Sequence, residues 1–160
     1  KPQGDKYHKI SFNATYGERK LNKNDGYNAG VVYSIGKSTI DSDKTNMISA
    51  FGGFSGMGLR LGAEYDYLTK GSGLSNNAES VILSVSANYG VIDNLDAYFR
   101  YDMWDDYGSL NKKGANYYIA GVLFNCGNSL SVAPNIRITT YEDLAKLVSK
   151  EYRVNFQFKF

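Results

Sequence analysis

Residues 151–160 read EYRVNFQFKF. Side chains alternate with period two along an extended chain, so Tyr152, Val154, Phe156, Phe158 and Phe160 share one face and Arg153, Asn155, Gln157 and Lys159 share the other. Working back from this segment, the same alternation recurs. Leu59, Leu61, Ala63, Tyr65 and Tyr67 oppose Arg60, Gly62, Glu64 and Asp66, and Leu95, Ala97, Phe99, Tyr101 and Met103 oppose Asp96, Tyr98, Arg100 and Asp102. Nine segments show this pattern or are rich in strand formers: 7–16, 27–36, 46–53, 57–68, 79–91, 94–104, 115–125, 130–141 and 151–160. The stretches between them are heavy in Gly, Asn, Asp, Ser and Lys.

The composition agrees with an all-β chain and removes several functions. Fourteen tyrosines, eight phenylalanines, 17 glycines and two prolines in 160 residues favour aromatic strands joined by turns. A formal net charge of +2 is too small for a dedicated nucleic-acid binder. One cysteine, Cys126, forms no internal disulfide, and one histidine, His8, leaves no zinc cluster. The longest apolar runs, such as residues 119–124, fall far short of the roughly 18 residues of a transmembrane helix. The opening KPQGDKYHK has no apolar core of a signal peptide, so any targeting segment is expected to be removed or to lie upstream.

Alternation alone fits a soluble sandwich as well as a membrane barrel. Three features favour the barrel. Aromatics (Tyr16, Tyr65, Tyr67, Tyr89, Tyr101, Phe160) stand at the ends of the apolar faces, where bilayer interfaces place amphipathic rings. Connections alternate between short (GFSG, VIDN, NCGNS) and long (KSTIDSDKTN, TKGSGLSNNAE, DDYGSLNKKGA, EDLAKLVSK). Most segments approach the 9–11 residues of a tilted membrane strand.

The terminal EYRVNFQFKF resembles the Phe-ended C-terminal strand of Gram-negative outer-membrane β-barrels, and the hairpin AGVLFNCGNSLSVAPNIRITTYED, with its APNIR, resembles porins of the phosphate-selective type. The likeness covers about the last quarter of the chain, and the last strand lacks the glycine often found in such insertion signals. It implies a transmembrane antiparallel up-and-down barrel in the bacterial outer membrane. It further implies that Tyr152, Val154, Phe156, Phe158 and Phe160 are read by the barrel-assembly machinery, that the C-terminus is periplasmic, and that the class forms homotrimers. With nine strands and a downward first strand, residues 1–160 are expected to be the C-terminal part of a single barrel domain of ten or more strands. An eight-stranded barrel with 1–26 as an extension is the alternative.

No catalytic constellation emerges. GGFSGMG lacks the Lys-Ser/Thr of a phosphate loop and reads as turn glycines, DSDKT (41–45) lacks the Glu of a calcium loop, and Asn13-Ala14-Thr15 is a sequon on a membrane strand. His8 has no catalytic partner, and Cys126 reads as an inert turn residue. The polar faces supply the candidate site instead: Lys9, Arg60, Glu64, Asp66, Asp96, Arg100, Asp102, Arg137 and Arg153 as pore-lining residues, with Lys159 beside them. Counted with Lys159, these give six bases against four acids, a slight anion bias, with Arg100 and Arg137 at similar depth. The expected function is passive diffusion of small hydrophilic solutes or ions, with no reaction, cofactor, metal or nucleic acid. A structural or adhesin barrel without an open pore is the alternative; it would fill its interior with mutually paired charges. Two positions resist the pattern: Pro134 is expected at a strand start or bulge, and NYYIAGVLFN, apolar on both faces, is expected to lie under an inserted loop or plug.

Overall fold

The computed structural model describes residues 7–38, 44–71, 78–106, 114–127, 129–143 and 147–158, with only the backbone at 7, 8, 37, 38, 70, 71, 78 and 106. Nine strands follow in order: β1 (Tyr7–Gly17), β2 (Gly26–Ser38), β3 (Lys44–Gly56), β4 (Leu59–Gly71), β5 (Ala78–Ile92), β6 (Leu95–Asp106), β7 (Ala115–Cys126), β8 (Leu130–Tyr141) and β9 (Ser149–Phe158). Each pairs antiparallel with the next, giving one nine-stranded up-and-down sheet with β1 and β9 at its edges. Contacts between elements join sequence neighbours alone, so no second sheet packs on the first among the described residues. The sandwich is thereby excluded, since it needs two sheets face to face.

Residues paired across an antiparallel ladder share a face. Following the register from β9 to β1 puts Val154, Ile136, Ala120, Phe99, Val85, Ala63, Ala50, Val31 and Ala14 on one side. The apolar face is thus unbroken through all nine strands. Its side chains are exposed even in the middle of the sheet, as at Phe99 (44%) and Leu61 (44%). The opposite, polar face holds the buried serines and asparagine: Ser34 (2%), Ser49 (1%), Ser55, Ser131 and Asn135. Only Val81 and Ala115 are buried hydrophobics among the described residues. A water-soluble protein buries its apolar face, and this sheet does the reverse.

The local departures have physical causes. The third connection is not GFSG: β3 runs on to Gly56, and the turn is Met57-Gly58, both at positive φ (53° and 76°). That is the sign pattern of a two-residue type I′ hairpin. Strand four accordingly begins at Leu59 rather than 57. Pro134 lies inside β8 opposite Val154, with no bulge, and the ladder to β7 is instead interrupted at Val122 and Leu123. The missing proline N–H is accommodated by that gap. Cys126 is the exposed last residue of β7, not a turn residue. No described segment lies over the inner face of β7; Tyr117 there is 40% exposed, and Gly121 is covered by the ring of Tyr98.

Candidate functional site: the polar face

All nine predicted pore-lining residues fall on the polar face, because each is register-linked to the others through an even number of positions. They do not form one cluster. Lys9 and Asp66 lie toward the end with long connections, and Arg60 and Asp96 toward the end with short turns. Between them, Arg100, Ile119, Arg137 and Glu151 form one row across β6 to β9, which places Arg100 and Arg137 level in the sheet, two strands apart. An adjacent row runs Glu64, Ser84, Asp102, Tyr117, Thr139.

The charges differ in how they are held. Arg100 Nε donates to both carboxylate oxygens of Asp102, at 3.0 and 2.7 Å. Arg153 Nε donates to Glu151 Oε2 at 2.8 Å. Both pairs join residues two apart on one strand, where same-face neighbours stand side by side. Arg137 Nε instead donates to Asn135 Oδ1, 3.2 Å away, so its hydrogen bond goes to a neutral partner, with Glu151 opposite it on β9. Two shallow hollows lie between these groups. One of about 260 Å³ is lined by Asp102, Tyr117, Ile119, Arg137, Thr139, Glu151 and Arg153. The other, about 220 Å³, is lined by Phe51, Gly62, Glu64, Ser84, Ser86 and Arg100. Asp66 Oδ1 and Ser49 Oγ, on residues paired across β3 and β4, are buried without a hydrogen-bond partner.

Glu151 was absent from the predicted list although it shares the parity of Arg153, a signal present in EYR itself. Its inclusion changes the charge count. With Lys159 outside the described residues, five bases (Lys9, Arg60, Arg100, Arg137, Arg153) face five acids (Glu64, Asp66, Asp96, Asp102, Glu151). Among the described strand side chains the polar face is balanced in number, so any selectivity depends on local placement. In the terminal strand, Tyr152, Val154, Phe156 and Phe158 occupy the apolar face, and Phe160 lies outside the described residues.

No protein-family model matches the sequence, and no curated protein matches it. Among solved structures, the chain is similar to the outer membrane channel DcaP of Acinetobacter baumannii, with a TM-score of 0.65 and 13% sequence identity over 98% of this chain. It spans 53%, about half, of that channel's length. At this identity the likeness speaks for the fold, and it agrees with the inverted faces derived above: the nine strands have the architecture of an outer-membrane β-barrel wall.

Proposed function

We propose that this chain forms part of the wall of an outer-membrane channel through which small hydrophilic solutes or ions diffuse passively, with no catalytic step. The observation that carries the proposal is the inversion of the faces. Apolar side chains are exposed across the whole sheet, as lipid contact requires, while ionisable groups gather on the other side, where a lumen would hold them in water.

The strand count extends the reading. β1 and β9 run in the same direction, so joining them directly would make a parallel pair. An open edge is untenable in lipid, where no water satisfies backbone groups. Closure by antiparallel neighbours therefore takes an odd number of further strands, in a barrel of ten or more. The likeness to a channel about twice this length supports that size. In the same proposal the C-terminal strand is the part recognised by the assembly machinery, and homotrimers follow from the class alone.

Any anion preference is assigned to Arg137, in the APNIR that resembles phosphate-selective-type porins, because Arg100 and Arg153 are paired with acids. Those same pairs favour the second reading, a structural barrel with a filled interior. Against it, Arg60 and Asp96 have no ion-pair partner among the described residues. Planar-bilayer recording of the full-length protein purified from outer membranes decides between them. Step-like ohmic conductance is expected, and its absence from protein shown to be folded by heat-modifiable mobility would favour the structural barrel.

A further inference from the structure

Three of the four connections at the short-turn end are tight: Met57-Gly58, Asp93-Asn94 and residues 127–129. The fourth, residues 18–25 between β1 and β2, is longer, reads ERKLNKND, and folds over the polar face instead of projecting away from the sheet. Four observations fix its position. Gly17 and Gly26, at φ 99° and 145°, take the positive angles that let the chain leave β1 and re-enter β2 at a sharp bend. Leu21 lies on the polar side of Gly53, where a Cβ would come within 2.8 Å of Leu21 Cδ1. Ser55 Oγ, also on that side, donates to Asp25 Oδ1 at 3.4 Å. Asn28 Nδ2 donates to the Glu18 carbonyl at 2.9 Å.

The turn is ordered within itself as well. The Lys20 amide donates to Glu18 Oε1 at 2.8 Å, and the Lys23 and Asn24 amides donate to the Lys20 carbonyl at 2.8 and 2.9 Å. Gly53 on β3 pairs with Gly62 on β4, so this cross-strand pair presents no side chain and leaves room for Leu21. Arg19, Lys20 and Lys23 are exposed on this inward-folded segment, and none has an ion pair among the described residues.

We propose that residues 18–25 form a fixed ledge at the short-turn mouth of the pore, and that Arg19, Lys20 and Lys23 on it draw small anionic solutes into that mouth. The inference rests on the channel reading above. Its physical basis is the same as for any charged constriction: cations beside a low-dielectric wall act on passing ions with weakened screening. The ledge makes the pore asymmetric, since the opposite end carries the long connections.

The test uses the full-length protein in a Cys126→Ser background. A short bifunctional thiol reagent is expected to join Asp25→Cys to Ser55→Cys in intact outer membranes; failure of that link in folded barrel overturns the inward placement. Separately, Arg19→Gln, Lys20→Gln and Lys23→Gln together, all on exposed side chains, are expected to shift the reversal potential in a salt gradient toward cations. They are also expected to abolish a one-sided block of current by inorganic pyrophosphate. A triple variant with unchanged reversal potential and unchanged block overturns the ledge's role while the conducting wild type upholds the channel. A folded wild type that does not conduct overturns the channel reading itself, and the ledge's role with it.

Discussion

The two halves of the polar face are built on opposite plans. Across β2 and β3 its described side chains carry no charge and glycine makes part of the floor: the ring of Phe51 lies over Gly30, and Leu21 lies over Gly53. Across β6 to β9 the equivalent side is filled with Arg100, Asp102, Arg137, Glu151 and Arg153. The apolar face behind both halves is continuous from β1 to β9. One face is constrained by a single solvent, the lipid, and varies little. The other, in the proposed channel, faces what would pass along it, and it varies from strand to strand.

The largest expected effect tests whether the two halves do share one lipid-facing side. Ala50→Arg on β3 and Ala120→Arg on β7 both put a cation on the exposed apolar face near mid-strand. Each should destabilise the folded barrel by about 2–4 kcal/mol in denaturant titrations of lipid-reconstituted protein. A large cost at one site and none at the other would show that the halves do not face a common bilayer. The paired change Phe156→Ala with Phe158→Ala should come next, lowering the amount of folded barrel in isolated outer membranes. Normal amounts would remove the terminal strand from any role in assembly.

A smaller effect separates the inner sides. Arg100→Gln with Arg137→Gln should leave the barrel folded and shift the reversal potential toward cations, since Asp102 then loses its counter-charge. Unchanged selectivity with lowered stability would instead make this half a structural network. The smallest effect belongs to the glycine-floored half. The Lys20 amide, and then the Asn24 side chain, hold the Glu18 carboxylate below its ordinary range. A depressed carboxylate contributes its stabilisation fully above the ordinary Glu pKa and loses it as the pH falls through the lowered value. Residues 18–25 should therefore keep their order at neutral pH and loosen only in acid, read as faster cleavage by an acid-active protease, while Glu18→Gln should remove that dependence.

The strand pattern was legible because a lipid-facing side selects apolar residues along most of each strand, so period two survives in segments such as 59–67 and 95–103. The parity of the inner charges followed from the same period. The turn at Met57-Gly58 was not legible: four glycines between residues 52 and 58 each mimic a turn, and only the ladder from Gly56 to Leu59 identifies the right one. The inward fold of residues 18–25 was hidden for a different reason. It depends on a cross-strand pair, Gly53 and Gly62, brought together by the β3–β4 register and invisible in either segment alone. Ion pairing was beyond parity for another reason: Asp102 and Asn135 are both readable two residues from Arg100 and Arg137, but the alternation gives only the face and not which neighbour each guanidinium turns to.

Neighbouring residues Val85 and Ser86 sit mid-strand on β5 and point to opposite sides, Val85 to the exposed apolar face and Ser86 into the hollow beside Arg100. With Cys126→Ser removing the native thiol, Val85→Cys and Ser86→Cys can be exposed in intact outer membranes to a small, charged, water-soluble maleimide. A water-filled lumen predicts rapid labelling at residue 86 and protection by lipid at residue 85. Labelling at 85 with protection at 86 would mean that the apolar side faces water and the polar side is enclosed, and would contradict the account at its root.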